Sequence, residues 1–592
     1  MAIAALLRDT VISSLHSLYN EPFSDKDFQV NQTKPEFTGD YTIVLFSLVK
    51  RLKKSPDEVG NELGAFLQEN HPALVAEFNI IKGFLNLTIA PNYWLQLLEE
   101  NYSKKDYGRL PANGQRVMVE YSSPNTNKPL HLGHLRNNFL GWSCAAILSY
   151  NGYEVIKTCI ANDRGIHICK SMVAWKLFAN GATPESTGTK GDHFVGDYYV
   201  LFGQELKKQS AELINSGLTK EEAEKKAPIM QMAQQMLVDW EAGDPEVLAL
   251  WKKMNSWVYE GFAVTYQRIG SDFNKTYYES DTYLLGKDLV AFGLSKGVFF
   301  KKEDGSVWID LTADGLDEKI VQRKDGTAVY MTQDIGLAVK KYEEFACDKS
   351  IYVVGNEQDY HFKVLKLICQ KLSLPAADGI FHLSYGMVEL PSGRMKTREG
   401  TVVDADDMIE EMVNVSRQKT EELGKVKDFT PEELTTLFDT IGIGALKFFL
   451  LRVDPKKKML FNPEESIDFH GFTGPFIQFI HARIRSILRK EQPSAMAGNY
   501  KEELLPLEKE LLVTMEQYPG VLAQAAAEYN PSHLANYVYS VAKTFSSFYT
   551  EHKVAGAASE EKKQLRLRLC QLAANIIASA MQLLGINVPE RM

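Results

Sequence analysis

Cysteine is scarce. The 592 residues hold only Cys144, Cys159, Cys169, Cys347, Cys369 and Cys570, with no Cys-x-x-Cys pair and no Cys/His cluster. This scatter argues against a zinc ribbon or a disulfide framework and suits small core residues in a reducing cytoplasm, so no metal site is expected. Apolar runs of membrane-spanning length are also missing, and no membrane partner is expected. Met1–Tyr19 is mildly apolar, but Arg8 and Asp9 interrupt it and no basic leader precedes it. A short amphipathic helix is expected there, not a signal peptide. Internal repeats and low-complexity tracts are absent. So is an excess of positive charge: the formal net charge is −10. That removes a global nucleic-acid signature, although phosphate binding needs only a local basic surface. Arg51–Lys54, Lys456–Lys458 and Arg483–Lys490 are such local runs, and each reads equally well as a solvated face.

What is present is a chain of ordinary apolar content, 45%, long enough for about three to five domains. Residues 1–107 read as a small α+β domain, with helical periodicity in Tyr41–Lys53 and Pro56–Gln68 and a strand at Gly83–Thr88. Residues 108–404 read as an α/β domain of two parallel-sheet halves, separated by a charged helical insertion at about 180–260. The second half is expected to contain Trp308–Leu311, the segment Ala328–Lys341, a strand at Ile351–Val354, a helix from Tyr360 and a strand at Phe381–Met387. Residues 405–464 read as connecting helices and 465–592 as an all-helical domain. This layout alone does not specify function.

The most informative stretch is Glu120–Arg136, Glu-Tyr-Ser-Ser-Pro-Asn-Thr-Asn-Lys-Pro-Leu-His-Leu-Gly-His-Leu-Arg. The apolar run Val117–Val119 leads in, and Leu135, Phe139, Trp142 and Ala146 lead out at helical spacing. A helix N-terminus offers free N–H groups to a phosphate. Gly133 lets a ligand approach the backbone closely, and His131 and His134 can donate hydrogen bonds to an oxyanion. The four residues His-Leu-Gly-His would mean little alone; the strand before and the helix after give them weight.

This segment resembles the first nucleotide-binding motif of class I aminoacyl-tRNA synthetases. Its lead-in, Ser122-Ser123-Pro124-Asn125 with Lys128-Pro129, resembles the arginyl-tRNA synthetase version. Tyr330-Met331-Thr332-Gln333-Asp334-Ile335-Gly336 resembles the arginine-recognition segment of that family, in which the matching Tyr and Asp hold the guanidinium. On its residues alone, Asp334 reads equally as a helix cap. The resemblance also implies substrate contacts from Glu120, Ser123, Asn125 and Gln358. It implies ATP contacts from His131, Gly133, His134, His361, Met387 and Met395.

Ser392–Val403 resembles the second class I motif, the basic loop over the ATP phosphates, but departs from its usual Lys-Met-Ser-Lys-Ser form. Arg394 replaces the first lysine, Lys396 takes the serine position and Thr397 replaces the second lysine. Lys396 and Arg398 are the remaining catalytic candidates in the loop, and Lys128 matches a lysine that compensates in the family. Asn162-Asp163-Arg164-Gly165 stands where much of the family has Gly-Asp-Trp-Gly, and no role is assigned to Arg164.

Near the C-terminus, Phe476, Gln478, Phe479, Arg483, Tyr537 and the terminal Met592 lie in segments resembling the family's anticodon-binding domain; Phe84 and Asn86 resemble its tRNA-contacting N-terminal domain. Aromatics with nearby Arg and Gln suit unstacked bases, and they suit a helical core as well. The resemblance therefore implies a Rossmann-like class I catalytic domain between an N-terminal α+β domain and an all-α C-terminal anticodon domain. It implies a cytoplasmic monomer that uses arginine, Mg2+-ATP and arginine tRNA, with no permanently bound cofactor. Rivals are another class I synthetase, such as the cysteinyl enzyme, a small nucleotidyltransferase and a catalytically silent tRNA-binding paralogue.

Overall fold

The computed structural model describes residues 3–34, 36–389, 403–422, 424, 428–494 and 502–592. Strands β1 (Gln29–Gln32), β2 (Tyr41–Val44), β3 (Val75–Ile81) and β4 (Phe84–Ile89) form an antiparallel sheet in the order β1-β2-β4-β3. Helices Ile3–Tyr19 and Pro56–Asn70 belong to the same domain. The second of these starts at a reciprocal Ser55/Glu58 capping box with Pro56 in its first turn, so the local sequence fixes its start. The expected helix over Tyr41–Lys53 is half strand, with only Phe46–Leu52 helical. Pairing of β2 with both β1 and β4 overrides the local period.

The central sheet is built from β5 (Arg116–Glu120), β6 (Glu154–Ala161), β7 (Lys275–Tyr278), β11 (Lys349–Gly355) and β12 (Ile380–Tyr385). All its pairings are parallel, in the order β12-β11-β5-β6-β7. The chain moves outward from β5 through β6 to β7, then returns to the other side of β5 for β11 and β12. The order thus reverses between β5 and β11, where crossovers diverge and leave a crevice beyond the carboxyl ends of the strands. Helix Leu132–Tyr150 follows β5 and seats closely on the strand end: a Cβ at Gly141 would lie 2.4 Å from Tyr121. The β6-to-β7 connection carries the helical insertion, whose long members are Gly191–Asn215, Pro228–Ala242 and Pro245–Ile269.

Trp308–Leu311 is not part of the parallel sheet. β8 (Phe300–Lys301), β9 (Val307–Ile309) and β10 (Lys319–Gln322) make a separate antiparallel sheet in the order β10-β9-β8. Phe299, Val307, Ile309, Leu311 and Val321 from this region share a core with Val364, Leu365 and Ile368. The short parallel pair β13 (Val388–Glu389) and β14 (Met459–Leu460) ties the end of the α/β domain to the connecting helices.

Helices Gly474–Lys490, Pro506–Glu516, Tyr518–Ala527, Ser532–Glu551 and Glu560–Leu583 form the C-terminal domain. Among the described residues one helix, Pro431–Leu451, is long and apolar enough to cross a membrane, which corrects the expectation that no run is so apolar. It packs against Leu132–Tyr150, Ala405–Glu422 and Gly474–Lys490, and Ile441, Leu446, Phe448, Leu450 and Leu451 are fully enclosed. It is a core helix. The N- and C-terminal domains also touch, through Lys509 to Asp40 at 2.8 Å and Arg568 to Glu99 at 2.7 Å.

Candidate active site

The residues after β5 build the site. Ser122 takes a left-handed backbone with φ of 60°, unusual for a residue with a side chain. Helix Leu132–Tyr150 holds it there: Asn137 Oδ1 accepts from the Ser122 amide at 2.6 Å and Asn138 Nδ2 donates to its hydroxyl at 3.0 Å. Asn137 also donates to the Val353 carbonyl of β11 at 2.7 Å, so one side chain spans the point where the sheet order reverses.

His131 is the N-cap of this helix and His134 lies one turn in. The Gly133 amide donates to His131 Nδ1 and the His131 amide donates to His134 Nδ1, each at 3.1 Å. Both Nδ1 lone pairs are therefore occupied, which puts the proton on Nε2 in each neutral ring. Burial, with the charge of Lys128 adding to it, pulls His131 down to about 4; burial and the neighbouring His131 hold His134 well below the usual histidine range. At neutral pH the turn thus presents two neutral Nε2–H donors whose rings lie 3.8 Å apart. Lys128 is half-buried and its ammonium is likewise shifted down by burial. These are preorganised donors of the kind that stabilise charge developing on phosphate.

Arg136 was not singled out as a site residue. Its side chain is fully buried and, among the described residues, hydrogen-bonds no carboxylate. Instead its guanidinium donates to the carbonyls of Gly386, Pro455 at 3.2 Å and Lys457 at 3.0 Å. Burial pulls it down to about 10. It clamps the segment carrying Met387, itself partly exposed, to the histidine helix. The sequence signal was an arginine on an otherwise apolar helical face.

A cleft of about 880 Å³ lies at the same carboxyl edge. Asn125, Tyr330 and Asp334 line it, and Tyr330 is 72% exposed. Helix Tyr330–Phe345 feeds β11, so its N-terminal end sits at the carboxyl edge of the sheet. Asp334 is in its second turn, not at the cap, and its carboxylate meets His361 Nε2 at 2.7 Å. His361, expected beside adenosine, thus contacts one of the acids that line this cleft. Gln358 ends the turn after β11, and Ser123 accepts from Asn162 through its carbonyl at 3.3 Å; neither lines the cleft.

Glu120 is expected as a substrate contact. It is buried at the end of β5, its carboxylate ion-paired to the buried Lys341, so its charge is already compensated inside the sheet. Arg164 forms part of the cleft wall. Its guanidinium lies 3.9 Å over Tyr283 and 5.2 Å from the ring of Trp240, and it pairs with Glu241 at 2.8 Å. Lys396, Arg398 and Met395 lie outside the described residues.

The expected RNA contacts divide. Phe84 is half-buried, edge-on to Phe46, which is 52% exposed. Phe476 and Phe479 are also half-buried; Phe476 meets Tyr539, and Arg483 lies 4.6 Å over Phe479. Met592 packs partly against the core. Asn86, Gln478 and Tyr537 are buried. Asn86 is enclosed, accepting from Thr42 at 2.7 Å and donating to Asn79 at 2.9 Å. Gln478 donates to the carbonyls of Thr440 at 3.0 Å and Asn587 at 2.8 Å, and the Tyr537 hydroxyl donates to Thr514 at 3.0 Å. Each of these three is buried, and its donors are spent within the fold, although Gln478 Oε1 has no partner among the described residues.

Comparison with known proteins agrees with this architecture. Residues 97–462 match the family of tRNA synthetases class I (R), catalytic domain, residues 477–592 match the DALR anticodon binding domain, and residues 5–89 match the arginyl tRNA synthetase N terminal domain. The α/β domain is therefore that of a class I aminoacyl-tRNA synthetase. Over all of both chains, the sequence is 53% identical to the arginine–tRNA ligase of Bacteroides thetaiotaomicron and 47% identical to that of Porphyromonas gingivalis. The structure superposes on Thermus thermophilus arginyl-tRNA synthetase with a TM-score of 0.82, covering 100% of both chains at 24% identity, which shows a common fold. The chain belongs to the arginine–tRNA ligase family.

Proposed function

We propose that this protein carries out the reaction of its family, joining L-arginine to arginine tRNA at the expense of ATP. A carboxylate oxygen of arginine attacks the α-phosphorus of Mg2+-ATP. The bond to the bridging oxygen breaks, giving arginyl-adenylate and pyrophosphate. The terminal ribose 2′-hydroxyl of the tRNA then attacks the arginyl carbonyl, and AMP leaves with the bonding electron pair. No enzyme nucleophile is required; catalysis is positioning plus charge stabilisation.

The observation that carries this reading is the histidine turn, two neutral Nε2–H donors at a helix start on the crevice edge of a parallel sheet. In this reading His131, His134 and Lys128 stabilise the phosphate, with Lys396 and Arg398 contributing from the basic loop. Asp334 takes the substrate guanidinium as a planar, doubly hydrogen-bonded ion pair. Tyr330 and Asn125 flank the substrate, with Ser123 and Gln358 on its α-amino-acid end. ATP lies on Gly133, Met387 and Met395. Phe476, Phe479, Arg483 and Met592 meet the anticodon arm and Phe84 the outer corner of the tRNA. The protein acts in the cytoplasm as a monomer.

ATP–pyrophosphate exchange with each amino acid, with and without tRNA, tests the reading. Little exchange is expected with arginine and ATP alone, and a large rise when arginine tRNA is added. Exchange driven by a different amino acid would replace arginine as the substrate, and none with any would favour a silent tRNA-binding protein.

A further inference from the structure

Among the polar contacts that the helical insertion makes with the catalytic core, one cluster lies beside the histidine turn and is not used by the reaction above. Its first long helix, Gly191–Asn215, points its N-terminal turns at the histidine turn. His193 Nε2 lies 2.9 Å from Asp404 Oδ2. Asp404 is itself fixed, because its other oxygen accepts from the amides of Asp406 at 2.8 Å and Asp407 at 3.2 Å. Lys190 completes the cluster, donating to Asp406 at 2.6 Å, Asp192 at 3.1 Å and the Thr265 hydroxyl at 2.6 Å. Its ammonium already supplies positive charge to these carboxylates.

The segment that carries Asp404 is paired to the histidine turn. Leu132 N donates to Val403 O at 3.1 Å, Ala405 N donates to Leu130 O at 2.9 Å, and His131 and Asp404 face each other as an antiparallel bridge. One helical turn beyond His193, Gly196 packs on Pro129; a Cβ there would lie 2.8 Å from the ring and 3.6 Å from the Lys128 Cα. Lys128, His131, His193 and Asp404 border one cavity of about 290 Å³.

We infer that the start of the insertion is a positioning element for the catalytic turn: His193 holds Asp404, Asp404 holds the backbone of His131, and Gly196 seats the helix against Lys128-Pro129. The insertion is thus a buttress for the phosphate-binding donors. Two routes converge on the same turn, one polar and one steric, and both come from the first two turns of one helix. A small displacement of a preorganised donor lowers turnover more than it lowers ground-state binding.

The inference rests on the arginine–tRNA ligase reading for its assay, and the test separates the two. Full-length wild type, His193→Ala, His193→Gln, Gly196→Ala and the distal surface control Glu224→Ala are compared in tRNA-supported exchange, in binding of a non-hydrolysable ATP analogue and in thermal melting. His193→Ala and Gly196→Ala are expected to lose about tenfold or more in kcat, with the arginine KM and the melting temperature little changed. His193→Gln, whose amide can still donate to Asp404, is expected to recover most of the loss. A wild type that binds the analogue but shows no arginine-dependent exchange would overturn the functional reading; the buttress would then be judged by analogue affinity, which both variants must weaken. Wild-type kcat in His193→Ala, or no recovery in His193→Gln, would overturn the buttress.

Discussion

At the carboxyl edge of the parallel sheet, polar side chains are anchored at one end and available at the other. In the C-terminal helical domain the donors of Gln478 and Tyr537 are spent inside the fold. His131 and His134 accept a backbone amide on Nδ1 and leave Nε2–H uncommitted among the described residues. Gln478 spends its amide on two backbone carbonyls, and Tyr537 spends its hydroxyl on helix Pro506–Glu516. Both arrangements come from the same rule, that buried polar groups find partners. Function enters where the unused polar atom sits on a side chain that is not fully buried, as at His131 and His134 but not at Gln478.

On that contrast, the largest effect comes from removing Asp334, the cleft acid carried by helix Tyr330–Phe345. Asp334→Asn keeps the shape but deletes the charge that would meet the arginine guanidinium. An unpaired buried guanidinium costs about 3–5 kcal/mol, so kcat/KM for arginine should fall by on the order of 10²–10³-fold or more, with melting unchanged. Glu120→Gln is the paired control: since Glu120 faces Lys341 within the sheet, its replacement should lower the melting temperature before it alters arginine selection. The reverse pattern would move the guanidinium contact to Glu120.

His134→Ala comes next. Loss of one preorganised donor should reduce adenylate formation by about 10²-fold, or roughly 3 kcal/mol, with the arginine KM little changed. Turnover near that of wild type would take His134 out of the mechanism.

These residues were legible before the fold because they are local. The histidine turn, the Tyr330–Gly336 segment and the strand at Ile351–Val354 each announce themselves within a few residues, through periodicity and turn chemistry. The C-terminal helices were legible in the same way, with the short helix Tyr518–Ala527 the exception. The Glu120–Lys341 pair, the Arg136 clamp and the His193–Asp404 contact join residues far apart in the chain, and no local pattern marks them. Trp308–Leu311 has the alternation of a strand, but alternation does not say which sheet a strand enters. Gln478 and Tyr537 were given RNA contacts by the resemblance, since an aromatic or amide at helical spacing suits a base and a core alike and local sequence does not show which backbone carbonyl waits inside.

A third, smaller effect tests the dryness of the histidine turn. His131 is held neutral down to about pH 4, against an ordinary value of about 6.5 in the unfolded chain. Between those values the unfolded chain binds a proton that the native turn refuses. Stability therefore falls as pH falls through this window, by about 1.4 kcal/mol for each pH unit at most. Above about pH 6.5 the contribution is constant. Comparing wild type with His131→Ala in thermal melts from pH 7 to pH 5 isolates it: the variant should lose less stability over that range. Parallel curves would mean that the turn is wetter than its burial implies.

The smallest effect lies inside the C-terminal domain and separates its two kinds of aromatic. Tyr537→Phe deletes a buried hydroxyl that donates to Thr514 O at 3.0 Å and leaves the ring stacked on Tyr518 with centroids 5.6 Å apart. The lost hydrogen bond should cost about 1 kcal/mol of stability and leave tRNA affinity unchanged. Phe476→Ala removes a half-buried ring beside Tyr539. If a base stacks there, tRNA binding should weaken by about 1–3 kcal/mol, the worth of one base–aromatic contact. Filter binding of arginine tRNA at fixed salt, beside thermal melts of both variants, reads the two quantities separately. A Tyr537→Phe variant that melts normally but binds tRNA poorly would mean that the hydroxyl leaves helix Pro506–Glu516 to meet RNA. The two regions would then differ only in the unbound state, since the anchored side chains of the helical domain would be released on binding.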